Sequence, residues 1–187
     1  MLGNDIVDLQ KAGSESNWRR KGYLNKVFTT QEQQQILASN HPETTLWLLW
    51  SMKEAAYKII NRESSERFYS PKEFICTLSK YNNFVDFEGK IMNTKSVINQ
   101  NFIHTIASST SENLNNIQTT YLKNMSNYLS DFNAKSADYF LEKDKNGIPN
   151  LIDKNNGESH LASISHHGEY LAVVSLVIAR NEAILKH

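Results

Sequence analysis

Cysteine is nearly absent: the 187-residue chain holds one. A single cysteine excludes an internal disulfide and any cysteine-rich zinc site, and it predicts a reducing, cytoplasmic setting. Net charge is absent too, with 20 basic and 20 acidic residues. That balance argues against bulk electrostatic binding of nucleic acid or of an anionic membrane. No apolar run approaches the roughly 20 residues that a membrane-spanning helix needs. Residues 1–10 carry Asp5 and Asp8 and do not read as a signal peptide. The six histidines are scattered, without zinc-motif spacing. What is present is a 40% hydrophobic fraction, which argues against wholesale disorder. The length suits one domain, or two small lobes around a shared core.

Patterning predicts an α+β fold, with antiparallel strands packed against helices. Residues 4–9 read as a short strand and 10–25 as a polar loop. A helix is expected over 30–38, because Thr29 with Glu32 and Thr30 with Gln33 both fit a capping box. A second helix is expected over 43–60, where apolar residues recur largely at helical spacing. Segments 73–79, 84–92 and 97–108 predict a three-stranded meander, with turns at Asn82-Asn83 and Glu88-Gly89. A linker is expected over 109–119 and a helix over about 115–132, on the stripe Tyr121, Leu122, Met125, Leu129 and Phe132. Strand pieces at 139–142 and 149–152 flank a turn at Asn146-Gly147. Residues 161–166 precede a strand over about 170–179, and the tail 180–187 is expected to fray.

Three places can carry chemistry. Glu54 and Lys58 stand four apart on the second helix and share a face. A surface salt bridge is the plainer account of such a pair, but Trp47 and Trp50 just before it argue that this helix is packed deeply on another side. Asp5 lies in the first strand; a carboxylate there plus one from a helix can hold Mg²⁺, completed by water and substrate phosphate. A turn or cap role is equally open to Asp5, and more so to Asp8. The run Ser163-Ile164-Ser165-His166-His167-Gly168 can either cradle a phosphate or mark a turn before the last strand. Adjacent Ser and His point apart, so they do not form a nucleophile triad.

Taken together, these residues resemble the 4′-phosphopantetheinyl transferase superfamily, whose members move the phosphopantetheine arm of coenzyme A onto a serine of an apo carrier protein. The strand Gly3-Asn4-Asp5-Ile6-Val7-Asp8-Leu9 resembles its Gly-x-Asp motif. Trp50 to Lys58 resembles its Trp-Ser-x-Lys-Glu-Ala-x-x-Lys helix, and Ser163 to His166 its Ser-x-Ser-His segment. Softer matches are Val27 to Glu32, a helix start, and Lys145 to Leu151, a Gly-Lys-Pro-type turn. The order of motifs is that of the short holo-acyl-carrier-protein synthases, which form trimers. The length instead resembles a circularly permuted two-lobed member, a single domain over 1–187 with lobes of about 1–110 and 111–187. The expectation is therefore a monomer with both halves of the site, a trimer being the alternative.

The resemblance implies Mg²⁺ on Asp5 and Glu54, a phosphate contact from Lys58, and nucleotide phosphates held by Ser165 and His166. Asp5, Glu54 and Lys58 are then the catalytic set, with Glu54 the candidate base. The implied partners are coenzyme A as substrate and an apo acyl or peptidyl carrier, of fatty acid synthesis or a related pathway. Val7 stands where the two-lobed type has a second acid, and Ile148 where the family has the turn lysine. Those departures leave open a non-catalytic module that binds coenzyme A or the carrier. Arg19-Arg20-Lys21 is the local basic patch that an acidic carrier would meet, or simply solvated surface.

Overall fold

The computed structural model describes residues 1–64, 68 and 70–176, apart from the Glu112 side chain. The chain opens with strand β1 (Leu2–Asp8) and four helices: α1 (Leu9–Glu15), α2 (Tyr23–Val27), α3 (Thr30–Ala38) and α4 (Pro42–Ser64). Strands β2 (Ile75–Thr77), β3 (Asn83–Phe87), β4 (Lys90–Ile98) and β5 (Phe102–Ser108) follow. With β1 they form one antiparallel sheet, ordered β1-β5-β4-β3-β2. The remainder is β6 (Ile117–Lys123), α5 (Tyr128–Lys135), β7 (Tyr139–Lys143), β8 (Pro149–Asp153), β9 (Ser159–His167) and β10 (Tyr170–Leu176). Their sheet is ordered β6-β10-β9-β8-β7. The fold is thus α+β, two antiparallel sheets packed against helices.

Local chemistry explains most boundaries. The capping box at α3 is complete: the Glu32 amide donates to Thr29 Oγ1, and the Thr29 amide donates to Glu32 Oε2. Asp8 is the N-cap of α1, accepting from the Lys11 amide at 3.0 Å. The loop expected over 10–25 therefore contains two short helices; Asp8 before a helix-compatible Leu-Gln-Lys-Ala run outweighs Gly13 and Ser14. The meander has four strands, because the Glu88-Gly89 turn divides the 84–92 segment and both residues take positive φ. The helix expected over 115–132 is β6 followed by α5. The Thr-Thr-Tyr run of β6 pairs antiparallel with β10, and that pairing overrides the helical spacing of its apolar residues. The strand expected to reach 179 is described only to Leu176, and the tail 180–187 lies outside the described residues.

One apolar core fills the space between α4 and the first sheet, with Leu46, Leu49, Met52, Ile59 and Ile103 fully enclosed. A smaller core lies under α5 against β7 to β10. Leu2, Ile106 and Val174 form a third, small cluster contributed by both sheets. An ion pair sits inside the larger core: the Lys53 ammonium meets both Glu32 oxygens at 2.8 and 2.9 Å, and also donates to the Phe74 carbonyl. Glu32 further accepts from the Cys76 amide. The Lys53 ammonium and both Glu32 oxygens all have partners, the condition for tolerating buried charge. The pair ties α3, α4 and β2 together.

β1 has no solvent face. Gly3 and Asp5 turn toward α4, while Asn4 and Asp8 turn toward β9 and β10. Between the sheets, buried His104 of β5 contacts the Asn4 amide through Nε2 at 3.1 Å and the Tyr121 hydroxyl of β6 through Nδ1 at 2.9 Å. Burial, aided by Lys58, pushes His104 down to about 4. A depressed histidine contributes stability that is full above about 6.5 and is lost as pH falls toward 4. His104→Gln should therefore lose less stability than the wild type between pH 7.5 and 4.5, by on the order of 2 kcal/mol. Urea unfolding at the two pH values checks this.

Candidate active site

The site grows from the contact of β1 with α4. A Cβ on Gly3 would stand 2.1 Å from the Ala55 carbonyl oxygen and 3.2 Å from Ile59 Cγ1. Only glycine allows the strand to lie that close to the helix. At that distance the Lys58 ammonium donates to the Asn4 carbonyl at 2.6 Å and reaches Asp5 Oδ1 at 3.4 Å. Glu54, one turn earlier on the same helix face, is close enough to raise the Asp5 pKa through its charge.

Asp5, Glu54 and His166 line one cleft of about 210 Å³, together with Val7, Trp47 and Trp50. Residues of α1 and its end, Ala12, Glu15 and Ser16, form part of its wall. Glu54 also borders a second groove, of about 320 Å³, walled by Tyr57, Phe68, Pro71 and Phe74. One carboxylate thus borders both the cleft that holds Asp5 and His166 and the aromatic groove.

The electrostatics set this cleft apart. Burial lifts Asp5 to about 7, with Lys58 opposing and Glu54 adding to the rise. Burial raises Glu54 as well, again against Lys58. His166 is lowered by partial burial, then by the charges of Lys58, Lys143 and His167. Two carboxylates thus share one nearby ammonium and are short of positive charge. Such a pair suits a hard divalent cation whose remaining positions go to water and phosphate. Among the described residues no group of three or more His, Cys, Asp or Glu could hold a metal; Asp5 and Glu54 could offer such an ion two carboxylates. Cys76 is buried and its thiol is pushed up, which leaves it no role as a nucleophile.

The other residues singled out in the sequence fall in different places. Ser165 does not line the cleft; it is buried behind it, with its hydroxyl accepting from the Asn4 side chain at 2.8 Å. Asp8 is a helix cap that also receives the Glu169 amide. Ile148 sits in the β7–β8 turn, its amide bound to Asp144. Lys53, inside the polar run of the motif helix, points away from the cleft into the Glu32 pair. Glu15 and His167 were not foreseen as wall residues; a 3.6 Å contact between them closes that side.

The profile of the 4′-phosphopantetheinyl transferase superfamily matches residues 1–107. The chain belongs to the 4′-phosphopantetheinyl transferase superfamily. The match covers β1 through β5 almost to its end, and so includes Asp5, Glu54 and Lys58. Comparison with curated proteins gives no match. Membership supports a phosphopantetheinyl transferase activity in general, with coenzyme A and a carrier protein as partners. No helix among the described residues is long and apolar enough to cross a membrane.

A raised carboxylate favours the folded state at low pH, and that advantage is lost as pH rises from about 4 through about 7. Asp5→Asn removes the charge and keeps the shape. It should be more stable than the wild type at pH 8, by on the order of 1–3 kcal/mol, and the difference should vanish near pH 4. Thermal unfolding across that range measures it.

Proposed function

We propose that this protein transfers the 4′-phosphopantetheine arm of coenzyme A to a serine of an apo acyl or peptidyl carrier protein, releasing 3′,5′-ADP. The observation that carries this is the meeting of Asp5, Glu54 and His166 around one cleft, with the Lys58 ammonium 3.4 Å from Asp5, in a chain of this superfamily. The carrier serine oxygen attacks the phosphorus that bears the pantetheine arm. A P–O bond of the pyrophosphate breaks, and 3′,5′-ADP leaves. No covalent enzyme intermediate is needed; placement and electrostatics lower the barrier.

Each residue has a role on this reading. Lys58 pairs with the pyrophosphate as a point charge. His166 faces the cleft and contacts nucleotide phosphate. Glu54 takes the serine proton; burial raises its pKa and so makes it a stronger base than an exposed carboxylate. Asp5 and Glu54 would hold Mg²⁺, which supplies neutralisation of pyrophosphate charge. The aromatic groove beside Glu54 suits the pantetheine arm. The patch Arg19 to Lys21, backed by Trp18 against Arg19 at 4.0 Å, offers charge to an acidic carrier. A monomer in the cytoplasm, of holo-acyl-carrier-protein synthase type, is the simplest setting.

Two kinetic results test these roles. Asp5→Ala and Glu54→Ala should each lose at least roughly a hundredfold in kcat, measured by radiolabelled phosphopantetheine incorporated into apo carrier at fixed Mg²⁺. Near-wild-type turnover in either variant would remove that residue from the site. Lys58→Ala should chiefly raise the apparent KM for coenzyme A, and an unchanged KM would argue against its phosphate contact.

A further inference from the structure

We propose that Asn4 is a positioning residue: its side chain holds β9 in register against β1, so that His166 faces the cleft of Asp5 and Glu54. The inference rests on the transferase reading for its functional meaning, and on hydrogen bonds for its geometry.

Asn4 is fully buried between the sheets. Its Oδ1 accepts from the Ser163 hydroxyl at 2.8 Å. Its Nδ2 donates to Ser165 Oγ at 2.8 Å, to His104 Nε2 at 3.1 Å and, more weakly, to the Ala172 carbonyl at 3.4 Å. Ser163 and Ser165 lie two apart on β9 and so project to the same side. Their opposite demands on one amide, an acceptor for Ser163 and a donor for Ser165, fix both the amide orientation and the strand. A slip of β9 by one residue would bury His166 and turn Ser165 outward, leaving the buried Asn4 Oδ1 without its Ser163 partner and Nδ2 with only His104 and the weaker Ala172 contact. That loss is costly for a buried polar group.

Two of the bonded residues adjoin the site. Asn4 precedes Asp5, and its carbonyl receives Lys58. Ser165 precedes His166, which lines the cleft. One side chain thus couples the carboxylate strand to the histidine strand. Ser165, buried and bonded to Asn4, is therefore placed to act through Asn4.

The test is a double-mutant cycle on the full chain, with Asn4→Ala, Ser165→Ala and the pair. Apparent KM for coenzyme A and kcat are measured on apo carrier with Mg²⁺, on protein confirmed folded by circular dichroism. Asn4→Ala should lower kcat/KM by roughly 10- to 100-fold through a raised KM, and Ser165→Ala should add nothing to it. A merely destabilising change would reduce the active fraction and leave KM alone. Effects that multiply would overturn the inference, since Ser165 would then act on substrate independently. Ser163→Ala is the milder variant if Asn4→Ala does not fold, and it should raise KM in the same direction; an unchanged KM counts against the clasp. Hydrogen exchange needs no activity. Amides of Ser163 to His167 should exchange at least roughly tenfold faster in either variant, while those of β3 and β4 hold. Unchanged exchange there overturns the inference even if the transferase reading stands. Faster exchange in a protein whose wild type transfers nothing upholds the clasp and sinks the transferase reading alone.

Discussion

The site depends on how closely β1 lies on α4. That approach is possible because position 3 has no side chain: a methyl group there would collide with the Ala55 carbonyl. The collision is with backbone, which cannot swing aside as a side-chain tip can. Once the strand is seated, Lys58 reaches the Asn4 carbonyl and Asp5, and Glu54 comes within electrostatic range of both. The same seating aims the next side chain, Asn4, into the opposite sheet.

Two sets of groups accept unfavourable settings around this contact. Asp5 and Glu54 are carboxylates raised by burial, with the charge of one ammonium, Lys58, acting on both. Natural sites often hold such groups at a cost in stability because the chemistry needs them. His104 is a buried imidazole kept neutral by its surroundings, and its effect on stability with pH has the opposite sign. Elsewhere the structure is conventional: the Lys53–Glu32 pair is buried but fully bonded, and apolar side chains fill the rest of the core. The perturbed Asp5, Glu54 and His104 lie at the cleft and at the seam behind it.

Much of this was legible from residue order. The capping box at Thr29 and the apolar spacing of α4 marked two helices, and Gly3-x-Asp5 with Trp50 to Lys58 marked the strand and helix that meet at the candidate site. What was hidden has physical causes. Lys53 and Glu54 are neighbours, yet helix geometry sends one into the core and the other to the cleft; only the position of α3 decides which. Ser165 and His166 look equivalent in sequence, but strand alternation buries the first and presents the second. Asn4 fills an unspecified place in the motif, and its partners lie about 100 to 168 residues away. The strand β6 was read as helix because its partner, β10, lies some 50 residues on.

The most direct measurement is the intact mass of an apo acyl carrier protein after incubation with this protein, coenzyme A and Mg²⁺, with a parallel sample in EDTA. A gain of one phosphopantetheine group that disappears in EDTA is the expected result. Carriers of several types that stay unmodified, although the protein is folded and coenzyme A is intact, would contradict the transferase assignment.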